Sequence, residues 1–311
     1  MVAGAVGGGP SLRHDITVII PTVGRSILRR CLRSIADGSH LPGQIIVVDQ
    51  SSNPEIREWL SDLQVLGVEA KHLPSSQTGK AAAVNRGVEC ADTEFIAITD
   101  DDCLVAPDWL RNMRAHLKNR PGAVVTGRVE AAGDEAVPMV VTSLAPATYS
   151  RPRLKFDTLS GGNMGVALTV MKQVGLLDEE LRCSEDGEWA YRALRAGVQI
   201  EYAPDVIVYH YGWRDTADRR LRYREYAEGC GRFYGKYLRQ GDWFIGLRTV
   251  VHYLRELRRL LRAVVNRNAE QLRRSWACLR WLAPGILAGF RSQSARVASR
   301  VKSNQGKEFL R

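Results

Sequence analysis

Ile16-Thr17-Val18-Ile19-Ile20-Pro21-Thr22 is a nearly unbroken apolar run, the pattern of a strand covered on both faces, and Pro21 and Gly24 end it. Ile27, Leu28, Cys31, Leu32 and Ile35 then recur at helical spacing until Gly38. Gln44-Ile45-Ile46-Val47-Val48-Asp49-Gln50-Ser51 predicts a second buried strand that ends on an acid. A helix is expected over residues 54–66, with Pro54 at its start and Gly67 at its stop. Val68–Leu73 predicts a weaker third strand, and Lys80–Cys90 an alanine-rich helix. The next strand, within Glu94–Cys103, is built on Phe95, Ile96 and Ile98 and runs into Asp100, Asp101 and Asp102.

The pattern continues with a helix over Ala106–Asn119 and a strand over Ala123–Glu130. Residues 131–158 have no clear period and hold several prolines, so an irregular segment is expected there. Ser184–Gly197 predicts a helix, with Ser184 as N-cap and Gly197 as its left-handed terminator. Val198–His210 carries one or two further strands. Strands alternating with helices over the first hundred or so residues argue for a parallel sheet with crossover helices. No GxGxxG follows the first strand, so a dinucleotide-binding fold is not supported.

From Trp213 onward the pattern turns helical and basic, with helices expected over Arg219–Leu238, Trp243–Val265 and Gln271–Trp281. Tyr253, Leu254, Leu257, Leu260, Leu261 and Val264 form an apolar stripe opposed by Arg255, Arg258, Arg259 and Arg262. Such a helix either packs on the body with a solvated basic face or lies on an anionic membrane. Trp276, Trp281 and the short apolar segment Trp281–Phe290 tilt the balance to the membrane.

Charge sharpens that division. Residues 212–311 hold 23 Lys+Arg against 8 Asp+Glu, about +15, which leaves residues 1–211 near −5. A basic tail on a slightly acidic body fits a phosphate-rich surface, and no RRM, helix-turn-helix or zinc-finger pattern supports nucleic acid. Cys31, Cys90, Cys103, Cys183, Cys230 and Cys278 are scattered without metal-ligand spacing and read as free thiols of a reducing compartment. Residues 1–14, rich in Gly and Ala, read as a disordered leader and not a signal peptide. No stretch reaches the roughly 18–20 apolar residues of a spanning helix. A cytoplasmic protein, peripheral on the inner face of the membrane, is the expectation.

The chemistry concentrates at strand ends. Ligands of open α/β sheets sit beyond the carboxyl ends of the strands. The acids Asp100, Asp101 and Asp102 repel one another unless a cation is present, and alternate carboxylates suit a hard divalent ion holding a substrate phosphate. The alternative is a solvated acidic turn. The glycines of Leu159-Ser160-Gly161-Gly162-Asn163-Met164-Gly165-Val166 permit close backbone approach to a ligand, or simply a turn into a strand. Glu185 and Asp186 fall in the first turn of a helix, where acids also occur for stability alone; a carboxylate held ionised there suits a general base. His210 closes an apolar strand, where a structural role and a ligand role are both open.

Taken together, these stretches resemble the family 2 glycosyltransferases. Val18–Arg25 looks like that family's first strand and turn, and Val47-Val48-Asp49-Gln50-Ser51-Ser52 like its second, with Gln50 where Asn or Asp is frequent. Gly79–Gly87 is similar to its nucleotide-side helix, Thr99–Cys103 to its DxD metal motif, Gly161–Met164 to its acceptor-side segment, and Glu185-Asp186 with Arg192 to its ED motif.

The resemblance covers roughly residues 15–211 and rests on the order of the motifs as much as on any one. It implies a GT-A fold: an α/β domain at 15–211 with a mixed, mostly parallel sheet flanked by helices, followed by a basic helical extension at 212–311. It implies inverting, metal-assisted transfer of a sugar from a nucleoside-diphosphate sugar to a glycan or lipid-linked glycan acceptor. The implied donor site holds Pro21, Thr22, Arg25, Asp49, Lys80, Asn85, Asp100 and Asp101. Mn2+ or Mg2+ would be held by Asp100, Asp102 and His210. Asp186 would be the base with Glu185 beside it, and Gly162, Asn163, Met164 and Arg192 would lie on the acceptor side.

The rivals are a sugar nucleotidyltransferase and a non-catalytic, membrane-adsorbed module that binds sugar nucleotides. Thr22-Val23-Gly24-Arg25 is too sparse for the phosphate loop of the first. The paired acids argue against the second.

Overall fold

The computed structural model describes residues 15–65, 67–132, 140–154, 158–211 and 216–292. The proposed leader at 1–14 lies outside them. The chain divides into two compact units. One comprises residues up to 151, 158–177 and 189–213; the other comprises 152–157, 178–188 and 214–311. One break falls between residues 213 and 214, and residues 178–188, which the sequence places in the domain at 15–211, share a unit with the basic helices.

The first unit is built on a nine-stranded sheet among the described residues. Its first half is parallel: β1 (Ile16–Thr22) lies between β2 (Gln44–Asp49) and β4 (Phe95–Thr99), with β3 (Glu69–Pro74) outside β2. β1, β2 and β4 are buried at every position, as their unbroken apolar runs predict for strands covered on both faces. The crossovers are α1 (Leu28–Ala36), α2 (Glu55–Val65) and α3 (Lys80–Cys90). α1 buries Leu28, Cys31, Leu32 and Ile35, the stripe read from the sequence. α3 lies so close over the sheet that a side chain at Gly87 would strike Ile19.

The second half is mixed. β4 pairs antiparallel with β8 (Asn163–Ala167), β8 with β6 (Val124–Ala132), and β6 runs parallel to β9 (Ile200–Tyr211). β9 pairs antiparallel with β5 (Cys103–Val105) and with β7 (Ala147–Tyr149), a short strand inside the segment expected to be irregular. The stretch Val198–His210 therefore carries one strand, Ile200–Tyr211, and not two. Its register to β6 shifts between Gly127 and Arg128, which pair with Ala203 and Ile207. The residues passed over include Pro204, which has no N–H for a ladder bond. α4 (Trp109–Asn119), α5 (Leu168–Val174) and α6 (Glu185–Arg195) follow β5, β8 and the loop after α5. α6 ends as expected. Gly197 is left-handed at φ +82°, and the N–H groups of Gly197 and Val198 bond back to Leu194 and Ala193. Its start differs, because Ser184 has φ +67° and not the extended backbone of an N-cap serine.

The second unit centres on α7 (Thr216–Arg239), α8 (Trp243–Val265) and α9 (Ala269–Arg291). Asp242 caps α8 by accepting from the N–H groups of Phe244 and Ile245, and Asn268 caps α9 through Gln271. α9 continues through Pro284, joining two segments that the sequence separates. Packing explains why. Added side chains at Gly231 and Gly235 of α7 would land on the carbonyl oxygens of Leu282 and Ile286. Those at Gly285 and Gly289 of α9 would land on Glu228 and Arg232. Glycines four apart on each helix let the two backbones meet, and the long contact outweighs a proline cost of roughly 3 kcal/mol.

This seam makes a contrast that denaturation can read. Gly235→Ala drives a methyl into the Ile286 backbone and should destabilise by about 2 kcal/mol or more. Gly246→Ala on α8, whose methyl meets only Leu238 Cδ2 at 3.7 Å, should be neutral or stabilise by up to about 1 kcal/mol. Equal effects at the two positions would mean that α7 and α9 do not touch backbone to backbone.

Candidate active site

The carboxyl ends of β2 and β4 carry the acids, and the structure supplies each with a partner. Asp101 is buried and accepts from Thr22 Oγ1 at 2.7 Å and Arg25 Nη1 at 2.5 Å. Burial pushes its carboxyl above the usual aspartate range, against the pull of Arg25 and the Thr22 hydroxyl. Arg25 also stands 3.4 Å from Asp102 Oδ2. Lys80, the first residue of α3, pairs with Asp100 at 2.5 Å. The cluster that the sequence expects to need a cation therefore has Arg25 and Lys80 against its carboxylates. Pro21 is buried in β1 opposite Val48.

Strand pairing adds a second set. β5 and β9 place Cys103 opposite His210, and Tyr211 N donates to the Asp102 carbonyl. His210 Nε2 lies 3.4 Å from Asp102 Oδ1, and one ligand atom from each of Asp102, Cys103 and His210 falls within 4.8 Å of the others. Among the described residues, the buried His210 Nδ1 has no hydrogen-bond partner. A carboxylate oxygen suits Mn2+ or Mg2+ paired with phosphate, and an imidazole nitrogen beside it favours Mn2+ of the two. The Cys103 thiol, pushed well above its usual pKa by burial and by Asp100 and Asp102, is the poorest donor of the three. The group gathered here contains Asp102 and His210 as expected, with Cys103 where Asp100 was expected.

Gly162 packs against Asp100, and a side chain there would stand 2.6 Å from Asp100 Oδ2. The rest of that segment builds the fold. Asn163 is fully buried, accepts from Trp109 Nε1 at 2.9 Å and donates to the carbonyls of Arg128 and Val206, both at 3.0 Å. Met164 is a core residue of β8. Asn85, read from the sequence as a nucleotide contact, exchanges two hydrogen bonds with the Leu177 backbone, both 2.9 Å. Arg192, placed on the acceptor side by the resemblance, donates to the carbonyls of Val174 and Leu176. These side chains hold loops together, for buried polar groups bond wherever partners lie.

Asp49 is buried at the end of β2. Its Oδ1 accepts from Ser51 N and Oγ at 2.8 and 2.6 Å, and its Oδ2 lies 2.9 Å from His72 Nε2. His72, on β3, escaped the sequence reading because nothing local ties it to Asp49. Gln50, the departure from the family pattern, donates to the carbonyls of Gln77 and Gly79 just before α3.

Glu185 and Asp186 open α6, with Glu185 buried and Asp186 Oδ1 accepting from Gly187 N at 2.7 Å. Within the same unit, the wholly buried Glu188 accepts from Lys236 Nζ at 2.9 Å and Tyr237 Oη at 2.8 Å. Lys236 also reaches Asp178 Oδ2 at 2.8 Å. None of these was singled out from the sequence, since a lone lysine in a basic helix gives no sign of a distant carboxylate.

Comparison with known proteins places this architecture. The solved mannosyltransferase PcManGT from Pyrobaculum calidifontis, in complex with GDP-Man and Mn2+, superposes with a TM-score of 0.60 at 14% identity, over 92% of this chain and 89% of that one. S. aureus TarS 1–349 in complex with UDP-GlcNAc gives a TM-score of 0.57 at 17% identity, over 88% of this chain and 92% of that one. The fold is that of the GT-A glycosyltransferases.

The family model described as glycosyl transferase family 2 matches residues 17–171, and the chain belongs to that family. A pre-mycofactocin glycosyltransferase of Mycobacterium tuberculosis is 29% identical over 236 residues, which is 73% of this chain and 47% of that protein. The chain thus spans about half the length of that relative.

The buried ion pairs of Lys236 have a pH signature. Burial pulls its ammonium down, but Glu188 and Asp178 outweigh that and raise its pKa. The stabilisation is therefore complete below the ordinary lysine value, about 10.4, and is lost as pH rises through the higher folded value. Lys236→Met should cost about 3 kcal/mol at neutral pH. The gap in melting temperature between variant and parent should narrow above about pH 10.4. A gap independent of pH would show that the side chain acts by packing alone.

Proposed function

We propose that this protein is an inverting glycosyltransferase that moves a sugar from a nucleoside-diphosphate sugar to an acceptor hydroxyl. The observation that carries the reading is the meeting of Asp102 and His210, with Cys103, at the carboxyl end of the parallel sheet beside Lys80 and Arg25. Carboxylate, imidazole and cationic side chains gathered from several elements beyond strand ends are groups suited to a metal-bound diphosphate. Family membership supports transfer as the reaction, and solved relatives of this fold hold UDP-GlcNAc or GDP-Man with Mn2+.

In this reading Asp102 and His210, with Asp100 beside them, would hold Mn2+ or Mg2+. Bound there, the ion supplies Lewis-acid stabilisation of leaving-group charge. Asp49 meets the base, with Pro21 and Thr22 forming the wall beside it. Asp101 keeps Thr22 and Arg25 in place, and Arg25 and Lys80 face the phosphates. Gly162 leaves room for the donor at Asp100, over a floor formed by Asn163 and Met164. Asp186 removes the proton from the acceptor hydroxyl as it attacks the anomeric carbon, a single displacement that inverts configuration. Glu185 orients Asp186, and Arg192 keeps the neighbouring loop closed. The acceptor is a glycan or lipid-linked glycan, reached from the cytoplasmic side of an anionic membrane on which the basic helices lie.

Thermal shift against UDP, GDP, dTDP and CDP, each with and without Mn2+, tests the donor site. One nucleotide should stabilise the protein in a metal-dependent way, and Asp102→Ala should weaken that binding more than roughly tenfold. A response to no nucleotide would remove the reading. Once a donor is identified, Asp186→Asn should lower kcat by about 10²–10⁴-fold while leaving nucleotide affinity intact. Turnover near the parent rate would take the base role from Asp186.

A further inference from the structure

α8 is amphipathic in the inverse sense. Its polar residues Arg248, His252 and Glu256, four apart, are buried, while Leu247, Val250, Leu254, Leu257, Leu261 and Val264 are each 44–60% exposed. The inner face packs within the unit. Arg248 stacks over Phe233 and Tyr234, His252 Nδ1 lies 3.1 Å from Tyr234 Oη, and Glu256 takes Arg259 at 2.7 Å and Ser275 Oγ at 3.2 Å. The outward stripe is thus the side that α7 and α9 leave uncovered. Trp243 extends it at one end, and Trp276 of α9 is likewise exposed.

We infer that this outward face of α8 is a docking surface for an anionic lipid bilayer, with the leucines entering the acyl boundary and Arg258 and Arg262 at the headgroups. The inference deepens the proposal that the basic helices are membrane-adsorbed and is independent of the transfer chemistry.

Charge selects this occupant. Residues 243–292 hold ten arginines and only two glutamates, Glu256 and Glu270. Glu256 is buried and already paired with Arg255 and Arg259, and Glu270 accepts from Tyr223 and pairs with Arg273. The three-and-four spacing of the stripe would also suit a helical seam with a second copy. Two such faces, however, would bring Arg258 and Arg262 toward their equivalents with no exposed acid on α8 to offset them. A bilayer with acidic headgroups answers both the apolar stripe and its arginine border, and exposed tryptophans suit the interface. No helix among the described residues is long and apolar enough to cross a membrane, so the surface lies on the bilayer.

The test is flotation of the full chain with phosphatidylcholine vesicles, with and without phosphatidylglycerol. The protein should float only with the anionic vesicles. Leu254→Gln/Leu261→Gln and Arg258→Gln/Arg262→Gln should each lower vesicle partitioning by roughly tenfold or more. All four side chains are exposed, so melting temperature and the nucleotide-induced shift should stay unchanged. Failure of the parent to float, or parent-like flotation of the leucine variant, would overturn the inference. So would a dimer in light scattering that the leucine variant dissolves, which would give the face to a second copy. None of these outcomes alters the nucleotide shift, which judges the transferase proposal separately.

Discussion

Neutralising the carboxylates at the end of β4 is the constraint around which the first unit is arranged. Asp101 and Asp102 are almost wholly buried, and adjacent acids at a sheet edge cost far more than the strand gains by pairing unless cations reach them. Arg25 comes from the turn after β1 and Lys80 from the first residue of α3. His210 comes from the far end of the sheet. Each of these elements must stop where it does for its side chain to arrive. The parallel order β3-β2-β1-β4 gathers Arg25 and Lys80 on one side, and β9, paired with β5, brings His210 to them.

The same economy of polar groups governs the segments around the site. Asn163 on β8, Asn85 on α3 and Arg192 on α6 each bond backbone groups of other segments, at Arg128 and Val206, Leu177, and Val174 and Leu176. Rigidity of Gly162 beside Asp100 follows from Asn163, which is tied to α4, β6 and β9 at once. In the second unit, Lys236 does the corresponding work for the stretch that carries Glu185 and Asp186, since it clamps Asp178 and Glu188 together. The tail that the sequence presents as a separate basic extension therefore shares a unit with the Glu185-Asp186 pair.

Buried strands, crossover helices and the order of the acidic, glycine-rich and Glu-Asp stretches were legible in the sequence, because each depends on residues only a few positions apart. A strand covered on both faces must be apolar throughout, as in β1, β2 and β4, and α3 and α8 begin and end where their periodicity does. What the tertiary structure alone decided involves partners distant in the chain. Cys103 meets His210 only through the register of β5 and β9, and His72 meets Asp49 only because β2 and β3 are neighbours. α9 survives Pro284 because its glycines sit against α7. The stripe on α8 is visible in the sequence, but whether it turns inward or outward rests on where Arg248, His252 and Glu256 find partners. Periodicity says that a helix has two faces; only packing against other helices says which one meets the solvent.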